Sequence, residues 1–375
     1  MRIGFDAKRA FYNKSGLGSY SRNLIQGLAE KYPENDYVLY TPGLDFELFE
    51  PNQECITVKG PERPLHRVFR FYWRSFYLSH QLPRDRIEIF HGLSHEIPYN
   101  FPKKQVRSLV TIHDLIFLRL PHLYRLLDRT IYEKKFRYSC ETSDRIIAVS
   151  RQTANDIMEF FGIAAEKIDV VYQGCNPIFN TDVSLIVKEI LRMKYLLPKS
   201  FILYVGTIEE RKNLLTLIKA LHYGKIDIPL VVIGKPTPYL NKIIEFIERH
   251  SLINIIFCDI VQNQDLPGIY QLADLFVYPS IFEGFGIPIL EALYSRVPVI
   301  TSRTSSLTEA GGDHTLYVDP NNVEEMAAAI KKVLFDRELQ EKMIAEGYKH
   351  ARKFDADKVT SNMMQVYNKL HEHAG

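Results

Sequence analysis

Cysteine is scarce in this chain, with four in 375 residues. Cys55, Cys140, Cys175 and Cys258 lie too far apart for a zinc-ligand spacing or a disulfide framework, so reduced thiols are expected. An excess of one charge is also missing. Lys and Arg number 47 against 45 Asp and Glu, a formal net charge of +2, which gives no general attraction to nucleic acid. No apolar run approaches the roughly 20 residues that a spanning helix needs. The opening residues, MRIGFDAKRA, read as a strand and lack the apolar stretch of a signal peptide. A cytoplasmic protein is expected, with any membrane contact peripheral and at the inner face. Short-period repeats and low-complexity segments are absent as well.

What is present is a rhythm. The length favours two domains. Strand patterns at residues 2–6, 37–40, 87–91, 108–113, 145–150 and 168–172 are interleaved with helical spacing over 20–32 and 153–161. After a helical linker at 184–196 the rhythm restarts, with strands at 201–205, 230–233, 255–258, 275–278 and 297–300. Helical patterns separate these too. Such alternation predicts an α/β protein of two Rossmann-like, doubly wound parallel-sheet domains facing a cleft. The expected division is 1–180, 181–352, and a C-terminal helix over 353–375 crossing back to the first domain. Ligands of such sheets sit at the carboxyl ends of the strands.

The stretch from Leu275 to Thr301 is the most informative. An apolar strand leads into Glu283-Gly284-Phe285-Gly286, Pro288 opens a helical pattern, Glu291 sits near its start, and a second strand follows. Glycines let a ligand approach the backbone, and a helix start offers unpaired N–H groups to an anion. Two carboxylates flank that place. A second loop, Gly206 to Leu214, carries Arg211 and Lys212 at a helix start. Two cations there oppose the helix dipole and call for an anion.

These residues resemble the retaining glycosyltransferases of family 4. The Glu-Gly-Phe-Gly-x-Pro-x-x-Glu-Ala run matches that family's signature of two glutamates separated by seven residues. The Val205–Leu214 strand-loop, Val318-Asp319-Pro320-Asn321, the Thr111-Ile112-His113-Asp114 segment, the Gly16–Gly18 loop and the tail near Phe354 extend the similarity over the chain. The resemblance implies a GT-B fold and transfer of a sugar from a nucleotide-diphosphate sugar to a saccharide or lipid-linked acceptor in polysaccharide biosynthesis. No cofactor or metal is implied. Glu283 and His113 would face the donor sugar, and the backbone of Gly284, Phe285 and Gly286 would hold sugar hydroxyls or phosphate. Glu291 would accept from the ribose. Arg211 and Lys212 would neutralise the diphosphate, and Gly16 and Gly18 would lie under it. Many members carry Arg where this chain has Thr207. The Thr207 and Arg-Lys-Asn pattern resembles a subset of mannosyl- and rhamnosyl-type enzymes and tilts the donor toward GDP-mannose. The base would rest near residues 259–262.

Other features have plainer readings. His91 and His95 lack a third ligand with metal-site spacing. Asp355-x-Asp357 stands at a helix start and reads as a cap. Basic residues Lys59, Arg63, Arg67, Arg70 and Arg74 interleave with aromatics, and residues 119–137 add more cations. That region is either a solvated face or a surface for anionic lipid headgroups or a lipid-diphosphate acceptor. Two rival functions share the fold pattern: a nucleotide-sugar epimerase, and a non-catalytic nucleotide- or carbohydrate-binding protein.

Overall fold

The computed structural model describes residues 1–43, 47–258 and 260–372. Residue 259, at the edge of the expected base site, lies outside the described residues. The chain divides into two compact units, Met1–Gly174 with the segment from Ala356 onward, and Cys175–Asp355. The division falls a few residues ahead of position 180.

Unit 1 is built on seven strands: β1 (Arg2–Asp6), β2 (Asp36–Tyr40), β3 (Ile56–Lys59), β4 (Ile89–Gly92), β5 (Arg107–Ile112), β6 (Arg145–Ala148) and β7 (Ile168–Val170). Their order is β3-β2-β1-β4-β5-β6-β7. Every pairing is parallel. Both faces are therefore covered, and the central strands read as unbroken apolar runs such as Leu109 and Val110, both fully buried. β3 falls in a stretch that the sequence pattern leaves irregular. It is a half-buried edge strand of four residues, too short for an alternating pattern to stand out.

The C-terminal helix, Ala356–Glu372, completes this unit's core. Met363 and Tyr367 are fully buried among Phe5, Ile25 and Leu28. The helix packs on Gly16–Lys31, where a Cβ on Gly27 would stand 2.5 Å from Thr360 Oγ1. Lys31 Nζ donates to Ser361 Oγ at 2.7 Å and to the Asp357 carbonyl at 3.2 Å.

Unit 2 has six strands: β8 (Ile202–Val205), β9 (Leu230–Ile233), β10 (Ile255–Cys258), β11 (Leu275–Tyr278), β12 (Val299–Ser302) and β13 (Leu316–Val318). Their order is β10-β9-β8-β11-β12-β13. All are parallel. The chain winds outward from β8 in one direction and from β11 in the other. The point between β8 and β11 is therefore the topological switch point, where loops diverge and leave a crevice. The loop after β8 carries Gly206 to Asn213, and the loop after β11 carries Pro279 to Gly286. The fold thus brings together two loops some seventy residues apart in sequence.

Candidate functional site at the β8–β11 switch point

The site begins with Asn213. It sits at φ 59°, ψ 30°, between a short 3-10 turn (Glu210–Lys212) and the helix Leu214–Tyr223. Asparagine tolerates this left-handed geometry better than most residues. Its side-chain amide donates to the Pro279 carbonyl at 3.1 Å and the Pro320 carbonyl at 2.7 Å. One buried side chain thus fixes the 206–213 loop to the loops after β11 and β13. The Arg211 carbonyl accepts from the Ile281 amide at 2.8 Å, a second tie.

That framework places Arg211 and Lys212 against Glu283. Lys212 Nζ lies 2.6 Å from Glu283 Oε1, and an Arg211 guanidinium nitrogen 2.8 Å from Oε2. Ser280 Oγ and Tyr278 Oη also donate to Oε1, at 2.5 and 3.0 Å. Lys212 further contacts Tyr278 Oη. Arg211 reaches the Phe282 carbonyl and Glu209, each at 2.6 Å. Glu283 is 7% exposed. Burial pushes its carboxyl up, but Arg211 and then Lys212 outweigh this and hold it down at about 2. Burial lowers the Lys212 ammonium from its usual range despite Glu283 beside it. Arg211 is raised; burial opposes its charge, and Glu283 and Glu209 overcome that. The cluster is a preformed ion network that holds two cations on one carboxylate at the switch point. Tyr278 and Ser280 were not singled out by sequence; a Tyr at a strand end and a Ser three residues before the glutamate carry no readable signal.

The glycine run is braced from behind. Ser306 Oγ donates to the Glu283 and Phe285 carbonyls at 2.9 and 3.0 Å, and the Glu283 amide donates to Ser305 Oγ at 3.1 Å. Phe285 is buried and packs on Phe354, with ring centroids 5.3 Å apart. Gly286 has φ 111°, a conformation that only glycine adopts without strain. It caps the helix Ile287–Tyr294, with Pro288 in the first turn, where no N–H is needed.

Glu291 lies on that helix, apart from the ion network. Its Oε2 accepts from Tyr270 Oη at 2.9 Å, and among the described residues no cation pairs with it. Burial raises its carboxyl to about 7, only partly offset by Tyr270. By accessible surface it is half-buried: enclosed enough to lose hydration, open enough for a hydroxyl to reach it. Thr207 is exposed and follows the bend at Gly206 after β8. The two glutamates of the sequence signature therefore have opposite environments, one saturated with donors and one short of them.

The remaining candidates belong to unit 1. His113 follows β5 and is 4% exposed. Its Nε2 lies 2.9 Å from the Leu93 carbonyl, so that nitrogen carries the proton, and Nδ1 accepts from the Gln173 amide at 2.7 Å. Burial pushes the imidazole down to about 3, so it is neutral at physiological pH. Tyr20 meets it edge-on at 4.7 Å and His95 at 5.1 Å. Gln173, sixty residues away, leaves no signal in the sequence pattern. Gly16 and Gly18 form no loop: they open the helix Gly16–Lys31. At Gly18 a Cβ would fall 1.8 Å from the Asn13 carbonyl oxygen, whereas at Gly16 it would meet nothing within 4 Å. Gly18 serves close packing, and Gly16 leaves the helix start open.

His91 is spoken for within the core. Its nitrogens contact Tyr367 Oη and Thr111 Oγ1, each at 2.7 Å. Among the described residues no three His, Cys, Asp or Glu side chains gather as a metal site. The Asp355 carboxylate, read from sequence as a cap, accepts from the Tyr294 hydroxyl.

Comparison with known proteins agrees with this geometry. Residues 187–350 match the model of the glycosyl transferases group 1, and residues 14–178 that of glycosyltransferase family 4. The chain is 31% identical, over 99% of its length and 100% of the relative's, to the O-antigen chain mannosyltransferase B of Escherichia coli. It is 30% identical to the serotype-specific mannosyltransferase WbdA of the same organism, over 72% of this chain but 34% of that one. Sucrose-phosphate synthase from Thermosynechococcus elongatus superposes with a TM-score of 0.81 at 19% identity, over 100% of both chains. Anabaena HepE, solved with UDP and glucose, gives 0.75 at 15%, over 98% of this chain and 100% of that one. With its two parallel-sheet domains and its match along nearly the whole of a relative, the chain belongs to the group 1, family 4 type glycosyltransferases of GT-B fold.

Proposed function

We propose that this glycosyltransferase moves a mannosyl group, with retention at the anomeric carbon, from GDP-mannose to a saccharide or lipid-linked saccharide during polysaccharide biosynthesis. The observation that carries the reading is the pair of cations, Arg211 and Lys212, held by Glu283 at the switch point. The names of the relatives support the sugar, and the Thr207, Arg211-Lys212-Asn213 pattern supports the donor.

Glycosyl transfer breaks the bond between the anomeric carbon and the diphosphate oxygen. The electron pair leaves with the diphosphate, whose growing charge must be met. A guanidinium fork and an ammonium already fixed in a partly desolvated crevice meet it without reorganisation, usually the largest catalytic contribution. The entering diphosphate competes with Glu283 for both cations, and the released carboxylate oxygens accept from sugar hydroxyls. Glu283 is not assigned as a nucleophile. A carboxylate held at about 2 by four donor groups is a weak one, and among the described residues no second carboxylate contacts it. The acceptor oxygen instead attacks on the face the diphosphate leaves, and its proton passes to a phosphate oxygen. Arg211 and Lys212 supply the countercharge, so no metal is assigned. Glu291, short of donors, takes the ribose hydroxyls. His113 and Gly16 keep donor-side roles on the family's pattern, His113 as a neutral group, while Gly18 lets the helix start pack on the Asn13 carbonyl.

A panel of nucleotide sugars, read first by thermal shift and then by product analysis with mannosyl acceptors, tests the proposal. GDP-mannose at 100 times its dissociation constant is expected to stabilise the native state by about 2.7 kcal/mol. Stabilisation without turnover would favour a binding protein; a changed sugar without an acceptor would favour an epimerase.

A further inference from the structure

A surface of unit 1 has chemistry that transfer does not use. Residues 63–77 form short helices, and Leu126–Thr142 a long one. The two segments adjoin. Lys135 Nζ lies 5.1 Å over the Phe71 ring, and a ladder of rings from Phe76 to Tyr99 (5.2 Å) and Tyr99 to Tyr138 (4.7 Å) links them again. On the long helix, Leu127, Ile131 and Lys135 are four residues apart and share one face, so the stripe they form runs on into Phe71.

That stripe is apolar and outward. Val68 is 75% exposed, Phe69 57%, Phe71 60%, Leu127 77% and Ile131 51%. Isolated exposed apolar residues need no explanation, but adjoining ones mark a contact surface. Around them stand the exposed cations Arg63, Arg67, Arg70, Arg125 and Lys134. Among the described residues none of these five forms an ion pair; the exposed carboxylates in or beside the two segments are Glu62, Asp128 and Glu141, and Glu133 is taken up by Arg137. Arg74, by contrast, is turned inward onto Asp6 and Glu96 at 2.6 and 2.9 Å.

We propose that this surface docks on an anionic phospholipid bilayer, with Phe69, Phe71, Leu127 and Ile131 entering the headgroup boundary and the arginines meeting lipid phosphates. The charge pattern chooses the occupant. A second copy of the chain would bring two sets of like charges face to face, whereas an anionic bilayer complements them. Arg and Lys stems also lie along apolar surface while their heads stay at the phosphate level.

The test is co-sedimentation of the full chain with vesicles of phosphatidylcholine alone or with one third phosphatidylglycerol. Wild type is expected to bind the anionic vesicles at least about tenfold more tightly, less so in 0.5 M salt. Phe69→Ser with Leu127→Ser, and separately Arg67→Glu with Arg70→Glu, should each lower binding at least about tenfold with an unchanged melting temperature. Both pairs are on the surface, and either alone decides the matter if the other fails to fold. Equal binding to both vesicles, binding to neither, or loss of a dimer in the serine variant without loss of vesicle binding would overturn the proposal.

Discussion

At Glu283 the carboxylate serves four donors at once, so substitutions in this network separate by what they leave behind. Lys212→Ala leaves Glu283 paired with Arg211 and keeps the loops tied through Asn213. The fold should persist while transfer drops at least about a hundredfold, as when a preorganised charge contact is lost. A near-normal rate would remove the diphosphate assignment. Glu283→Ala instead leaves two half-buried cations facing each other. It should destabilise by about 3 kcal/mol, the range for stranding a buried charge, measurable as a lowered urea midpoint. Glu291 behaves differently. Its native carboxyl titrates near 7, above the ordinary 4.5, so between those values the native state binds a proton that the unfolded chain lacks. Stability from this group is therefore full below pH 4.5 and declines as pH rises through 7. Glu291→Gln should remove that slope and stabilise the ligand-free protein by about 1–2 kcal/mol at pH 8, a value reduced for its partial exposure. The same variant should bind GDP more weakly. Wild-type affinity should fall as pH drops from 8 to 6, because a protonated Glu291 has given up acceptor capacity. Calorimetric titration showing flat, equal affinities would refute the ribose role.

At the scale of elements, the helix opening at Gly16 offers a clean pair of variants. Gly18→Ala should cost at least about 2 kcal/mol, since the methyl collides with the Asn13 carbonyl. Gly16→Ala should fold normally, and a raised KM for the donor alone would place phosphate against that helix start. From sequence both glycines read as one flexible loop. Periodicity registers apolar positions, and residues 15–19 have almost none, so the first helical turn left no trace. For the same kind of reason β3, four residues at an edge, was not legible, while β8 and β11, fully apolar and central, were. The site divides similarly. Glu283, Glu291, Arg211 and Lys212 stand in a long local motif and could be read directly. Tyr278, Ser280, Tyr270 and Gln173 matter through where the fold brings them, and nothing in their neighbours announces it.

The molecule as a whole has separate apolar cores in its two units, one of them running from Ile202 to Met343. The side chains proposed to hold the diphosphate and the ribose, Arg211, Lys212 and Glu291, lie in unit 2. Scanning calorimetry is therefore expected to show two transitions, with GDP raising the one that belongs to unit 2. A single transition moved as a whole would show instead that the units unfold together.

The helix Ala356–Glu372 also bears on how the protein is made. Unit 2 occupies an unbroken stretch of chain, whereas unit 1 needs residues on either side of it. At about 5–20 residues per second a ribosome spends roughly 10–40 s on the intervening segment. Throughout that time the nascent first unit has Phe5 and His91 without Met363 and Tyr367 to cover them. The half synthesised later can thus complete its core first. The amino-terminal half stays open to chaperones and proteases until the last turns of helix emerge.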